Sequence, residues 1–162
     1  MKHFLLIIIS IFITTSSFAQ NNIISISHSS QLNEECSTML IEYDRIVKNN
    51  YAIGLEVSFN NHNTIGVNLI NEISVLSRDY FHILSAIETG IYSDNDSTYF
   101  NGNINVNFVY SPVESISLYI QPRLLYGGKI DTVFGMEYYI IVAEVATNFN
   151  YAEATIGICV PF

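Results

Sequence analysis

From Thr38 to its end, the chain alternates apolar and polar residues with a period of two, the spacing of a strand that puts each face in a different environment. Met39, Ile41 and Tyr43 share one face, opposite Thr38, Leu40, Glu42 and Asp44. Lys48-Asn49-Asn50 marks a turn between apolar runs. Tyr51, Ile53, Leu55, Val57 and Phe59 then oppose Ala52, Gly54, Glu56, Ser58 and Asn60. The run Asn60-Asn61-His62-Asn63 turns the chain, and Ile65, Val67, Leu69, Ile73 and Val75 oppose Gly66, Asn68, Glu72 and Ser74. The same alternation recurs over 81–91, 104–110 and 116–124, divided by Ser77-Arg78-Asp79, by Ser93 to Ser97, and by Ser111-Pro112, where proline is expected to end a strand. Gly127-Gly128 marks the next turn. In the last stretch Ala154, Ile156, Ile158, Val160 and Phe162 oppose Glu153, Thr155, Gly157, Cys159 and Pro161.

Two stretches leave alternatives open. Residues 131–150, of which 136–142 are apolar on both faces, read either as one long bulged strand or as two strands joined by a tight turn; their β-branched and aromatic content disfavours a helix. Residues 20–36, with Ile23 to Ser27, read as a leader or a short extra strand. The pattern predicts an all-β fold, a closed antiparallel up-and-down β-barrel over 37–162 with about eight strands, or about ten if the extra strand and the split both hold.

The first residues have another purpose. Met1-Lys2-His3 is a positive start, 4–13 is an apolar run, and Ser17-Phe18-Ala19 places small residues before Gln20. This is the pattern of a signal peptide at 1–19, cleaved after Ala19 on the Sec pathway. The run is roughly half of the about 20 residues that a spanning helix needs. Cys36 is too far from it to anchor a lipid.

Charged residues make up 13% of the chain, against about a quarter in soluble domains. Mean hydropathy is +0.30, yet the apolar residues are dispersed by alternation. Few charges, many apolar residues and no long apolar run suit a barrel whose outer face is solvated by lipid. The net charge of −9 argues against nucleic acid as a partner. Trp is absent, leaving 11 Tyr and 10 Phe as interfacial anchors. Tyr51, Phe59, Tyr80, Tyr92, Tyr99, Tyr110, Tyr126, Tyr151 and Phe162 gather near strand ends, where two aromatic girdles are expected. The polar face is short of lysine and rich in Gly, Asn and Ser, which suits a crowded lumen better than a water-washed surface.

On these residues the chain resembles the small outer-membrane β-barrel proteins of Gram-negative bacteria. The resemblance rests on the export pattern, the alternating strands, Ile41-Glu42-Tyr43-Asp44-Arg45 followed by Ile53-Gly54-Leu55, and the terminal Ile156-Gly157-Ile158-Cys159-Val160-Pro161-Phe162. It implies residence in the outer membrane, lipid as the surrounding partner, and Phe162 as the signal read by the barrel-assembly machinery. Pro161 departs from the common pattern. A monomer is expected.

Several constellations invite chemistry. Glu42, Glu56, Glu72, Glu88 and Glu153 share the polar face with Arg123 and are expected to form a lumen network around it, with a cation path as the sharper alternative. His82, Ser85 and Glu88 suggest a lipid-modifying hydrolase, but Ser85 lies on the opposite face of its strand from His82, so nucleophile and base do not meet. Cys36 and Cys159 are expected to bond if the strand beginning near Thr38 closes against the last, because they then share a rim and a face. No metal or cofactor motif is present. The expected role is structural, adhesive or envelope-maintaining, with a filled lumen and no open pore. The rivals are a soluble exported barrel holding an apolar ligand and an envelope-lipid enzyme.

Overall fold

The computed structural model describes residues 22–32, 35–48, 50–148 and 152–161. Ten antiparallel strands close into one barrel. They are β1 (Asn22–Gln31), β2 (Ser37–Lys48), β3 (Tyr51–Asn60), β4 (Ile65–Arg78) and β5 (Phe81–Ser93), followed by β6 (Thr98–Val113), β7 (Ile116–Leu125), β8 (Ile130–Tyr138), β9 (Ile141–Thr147) and β10 (Ala152–Pro161). Each strand pairs with its sequence neighbours, and β1 closes the ring against β10. The signal-peptide stretch, Tyr151 and the terminal Phe162 lie outside the described residues.

The strand count corrects the expectation of about eight, because both open alternatives resolve toward more strands. Residues 22–31 form a full strand, and 130–147 divides at a two-residue turn, Tyr139-Ile140. Strand β6 also runs through Ser111-Pro112 to Val113, with an irregular register between Tyr110 and Val113 that absorbs the proline at the end of the ladder.

Register fixes the faces, since directly paired residues point the same way. Glu42 pairs with Glu56, Glu56 with Asn68, Gly90 with Asn101 and Arg123 with Asp131, tracing one wall of the lumen. The other set faces out: Ile41 pairs with Val57, Leu55 with Leu69, Ile87 with Ile104, and Phe134 with Val145. Ile53, Leu69, Ile87, Ile104, Ile120, Phe134 and Ile158 are all exposed, whereas Ser58, Asn68, Asn105 and Asp131, on the lumen face, are buried. A barrel with its polar groups inside and a continuous apolar belt outside is inverted relative to a soluble domain and matches a barrel immersed in lipid.

The two rims differ. Asp79-Tyr80, Glu114-Ser115 and Tyr139-Ile140 are two-residue connections at one rim, where β2 also passes to β3, and the fully described connections at the other, 61–64, 94–97 and 126–129, have four residues. On the outer face of the short-turn rim stand Tyr43, Tyr51, Phe81, Tyr110 and Tyr138, with Tyr80 and Tyr139 in its turns. Among the described residues, Phe59, Phe100 and Tyr126 stand at the other rim. Tyr92 and Tyr99 do not join either girdle. They pair on the lumen face and stack with ring centroids 5.8 Å apart.

The longer turns are held by short polar side chains. Asn60 Oδ1 accepts from the backbone N–H of His62 at 3.0 Å and of Thr64 at 2.9 Å, while Asn63 takes a left-handed φ of 62°. Asp94 Oδ1 accepts from the N–H of Asp96 and of Ser97, which holds its carboxyl below the usual carboxylate range. Gly127 and Gly128 take φ of 89° and 78°, conformations that cost a side-chain-bearing residue.

Candidate functional site in the barrel lumen

The lumen is built by alternation, so each strand contributes every second residue to it. All five expected glutamates face inward, and with them Arg123. Asp44, Asp131, Glu137 and Glu144 share that face, which sequence reasoning did not place in the network.

Arg123 makes its bond to one of these. Its Nε donates to Asp131 Oδ1 at 2.8 Å and a terminal guanidinium nitrogen to Oδ2 at 2.7 Å, a bidentate pair between directly opposed residues of β7 and β8. Asp131 is 2% exposed. The network expected to centre on Arg123 is therefore distributed differently, with asparagines serving the glutamates. Asn103 and Asn105 donate to the two oxygens of Glu88 at 2.6 and 2.9 Å. Asn68 donates to Glu56 at 2.6 Å and to the Tyr92 hydroxyl at 2.8 Å. An amide donor satisfies a carboxylate without adding charge, which explains Asn103 and Asn105 in the inward asparagine row of β6.

Tyr119 donates its hydroxyl to Glu144, spanning from β7 over β8 to β9. The intervening residue is Gly135, and a Cβ there would meet the Tyr119 ring. A glycine is required because the ring lies flat against the wall. Tyr92 lies over Gly66 in the same manner.

A polar cavity of about 440 Å³ remains in the lumen. Glu42, Glu56, Glu88, Arg123, Asp131, Glu144 and Glu153 line it, together with Asn68, Tyr92 and Asn101. Its lining runs along the β8–β10 and β1 wall from Leu125, Asp131 and Glu153 near the longer turns to Val142, Cys159 and Ser25 near the short-turn rim, and reaches Tyr92 and Asn101 on the opposite wall only near the longer turns. Glu72, Leu84, Asn107 and Tyr119 face the lumen nearer the short-turn rim and do not line this cavity. With its acids and amides this cavity is a poor match for an apolar ligand.

The hydrolase constellation is not assembled. His82 faces the lumen side, and its Nδ1 meets Ser77 Oγ at 2.9 Å; Ser85 faces outward and donates to the Asn105 carbonyl at 3.2 Å. The expected disulfide is also corrected. It required β2 to close against the last strand, but β1 lies between them. Cys159 stands opposite Ser25 while Cys36 meets Gln31 at the far rim, roughly 20 Å along the strands. Both thiols are free. Among the described residues, no cluster of three His, Cys, Asp or Glu is arranged to hold a metal.

No protein-family model and no curated protein sequence matches the chain. Solved structures do. A KdgM porin superposes with a TM-score of 0.59 at 11% identity, covering 86% of this chain and 99% of its own. A KdgM porin in complex with disordered oligogalacturonate superposes with a TM-score of 0.60 at 10% identity, over the same shares. The likeness is one of fold, and the fold is that of an outer-membrane β-barrel.

Proposed function

We propose that this chain is an outer-membrane β-barrel protein with a structural, envelope-maintaining role, whose lumen is an acidic chamber rather than a through pore. It works as a monomer surrounded by lipid, exported by the Sec pathway and inserted by the barrel-assembly machinery. The observation that carries the reading is the uneven filling of the lumen. On the β4–β7 side toward the short-turn rim, Glu72, Leu84, Asn107 and Tyr119 face the lumen outside the open polar space, which narrows to the β8–β10 and β1 wall, and Tyr119 is laid across Gly135 onto Glu144. Connections of no more than five residues also leave little loop with which to grasp a bulky partner, which weighs against adhesion.

A barrel of similar fold is seen in complex with oligogalacturonate, an anionic sugar chain. Here the lumen is dominated by carboxylates, and Arg123 is already engaged by Asp131. A polyanion entering it would meet a lining rich in carboxyl groups. The acid excess favours a second reading, a narrow passage for small cations.

Planar-bilayer recording from the purified full chain tests both. The structural reading expects no steady conductance steps in potassium chloride. Small potassium-selective steps that shrink in Glu56→Gln and Glu88→Gln support the second reading, and large anion-permeable steps overturn both.

A further inference from the structure

Cations outside the lumen form their own pattern. Arg45 and Lys48 on β2 and Arg78 on β4 stand opposite Ile53, Tyr51 and Phe81, all members of the outward-facing set. The three lie on strands flanking β3, at the rim of the two-residue turns. In both hairpins the last pair before the turn is a cation facing an aromatic, Lys48 with Tyr51 and Arg78 with Phe81. The other hairpins of this rim close on apolar pairs, Val113 with Ile116 and Tyr138 with Ile141. Among the described residues none of the three cations is in an ion pair, and the ion pair there is Arg123 with Asp131. Asp79, in the turn beside Arg78, leaves the arc a net cation.

We propose that this arc, Arg45, Lys48 and Arg78 with Tyr51, Tyr80 and Phe81, binds the phosphate headgroup of an anionic phospholipid. The site rests on the membrane reading above. Two-residue turns belong to the periplasmic side of such barrels, so the arc meets the inner of the two leaflets. Guanidinium and ammonium groups donate charge-assisted hydrogen bonds to phosphate oxygens, and tyrosine rings settle at headgroup depth with the apolar edge toward the acyl chains. Each basic residue near an anionic surface contributes roughly a fivefold preference. The arc thus selects headgroup charge on one side of the barrel, while the rest of the belt is solvated by any lipid.

The full chain is inserted into vesicles of equal parts phosphatidylcholine and phosphatidylglycerol, extracted gently, and its retained lipids are counted by native mass spectrometry. Phosphatidylglycerol is expected to be retained over phosphatidylcholine by about 25-fold, the product of two net charges. That preference falls to parity in R45Q/K48Q/R78Q and at high salt, and persists in R45K/R78K, which keeps the charge. The salt series on the unaltered chain decides the question if the triple variant does not fold. Parity in the unaltered chain overturns the headgroup site and leaves the membrane reading standing. Preferential retention of lipid A from vesicles containing both overturns the assignment to phospholipid. A chain that inserts into no vesicle overturns the membrane reading and the site with it.

Discussion

Arg123 and Asp131 show how much one side chain decides inside this barrel. Asp131 is almost fully buried, and its carboxylate is tolerable there because a guanidinium takes both oxygens. Arg123→Leu leaves that carboxylate without its cation, and breaking a buried pair from one side costs about 3–5 kcal/mol. The expected outcome is a lower temperature for the heat-induced mobility shift of the folded barrel on a gel. Arg123→Leu with Asp131→Asn is expected to recover much of the loss, because an amide needs no counter-charge. An unchanged transition in Arg123→Leu contradicts the pairing. On the outer face the few polar side chains follow a related rule, since lipid offers them no hydrogen bonds. Tyr51 donates to Asn71 at 2.9 Å and Tyr43 to Asn22 at 2.8 Å, so each outward amide is met by a phenol from a neighbouring strand.

At the level of the strand, the paired glycine and tyrosine carry a second expectation. Gly135→Val places a branched side chain where the Tyr119 ring lies, and overpacking of this kind costs typically about 1–3 kcal/mol. The same gel transition is expected to fall, and Tyr119→Ala in the same chain is expected to restore part of it by vacating the space. No rescue means that the ring is not the obstacle.

Most strands were legible because alternation and turn residues agree. The pairs Tyr51 to Phe59 and Ile65 to Val75 lie on the outer face on either side of the Asn60–Asn63 turn, as the sequence pattern predicts. Two elements were not legible, for different physical reasons. The lumen face of β1 is Ser25, Ser27 and Ser29, small residues that also suit a polar leader, and only the pairing to β10 makes them a wall. The β8–β9 turn, Tyr139-Ile140, has none of the usual turn residues, and Tyr139 adopts a φ of 55° that its sequence does not advertise. Missing that turn concealed the parity of 131–147, and with it Asp131 and Glu144 as lumen residues. The Cys36–Cys159 expectation failed for the first of these reasons, since the unseen strand separates the two.

For the whole molecule, the main point is the inversion of polarity. The same alternating sequence folded as a soluble barrel would bury Ile87, Ile104 and Phe134 and wet the glutamates; here the apolar residues are exposed and Asn105 and Asp131 are enclosed. Only lipid makes that arrangement stable, because water around so broad an apolar belt would drive association. Narrowness then follows from strand number. Ten strands leave room for packed side chains and a chamber of about 440 Å³.

The most direct measurement of this account is nitroxide accessibility in lipid vesicles, with Cys36 and Cys159 replaced by serine. Labels are placed singly at Ile87→Cys, Ile104→Cys and Phe134→Cys on the outer face, and at Asn103→Cys on the lumen face. The outer labels are expected to relax with membrane-dissolved oxygen and to resist a water-soluble nickel reagent, with the reverse balance at position 103. Nickel reaching positions 87, 104 and 134 as freely as water-exposed controls would contradict the membrane barrel outright.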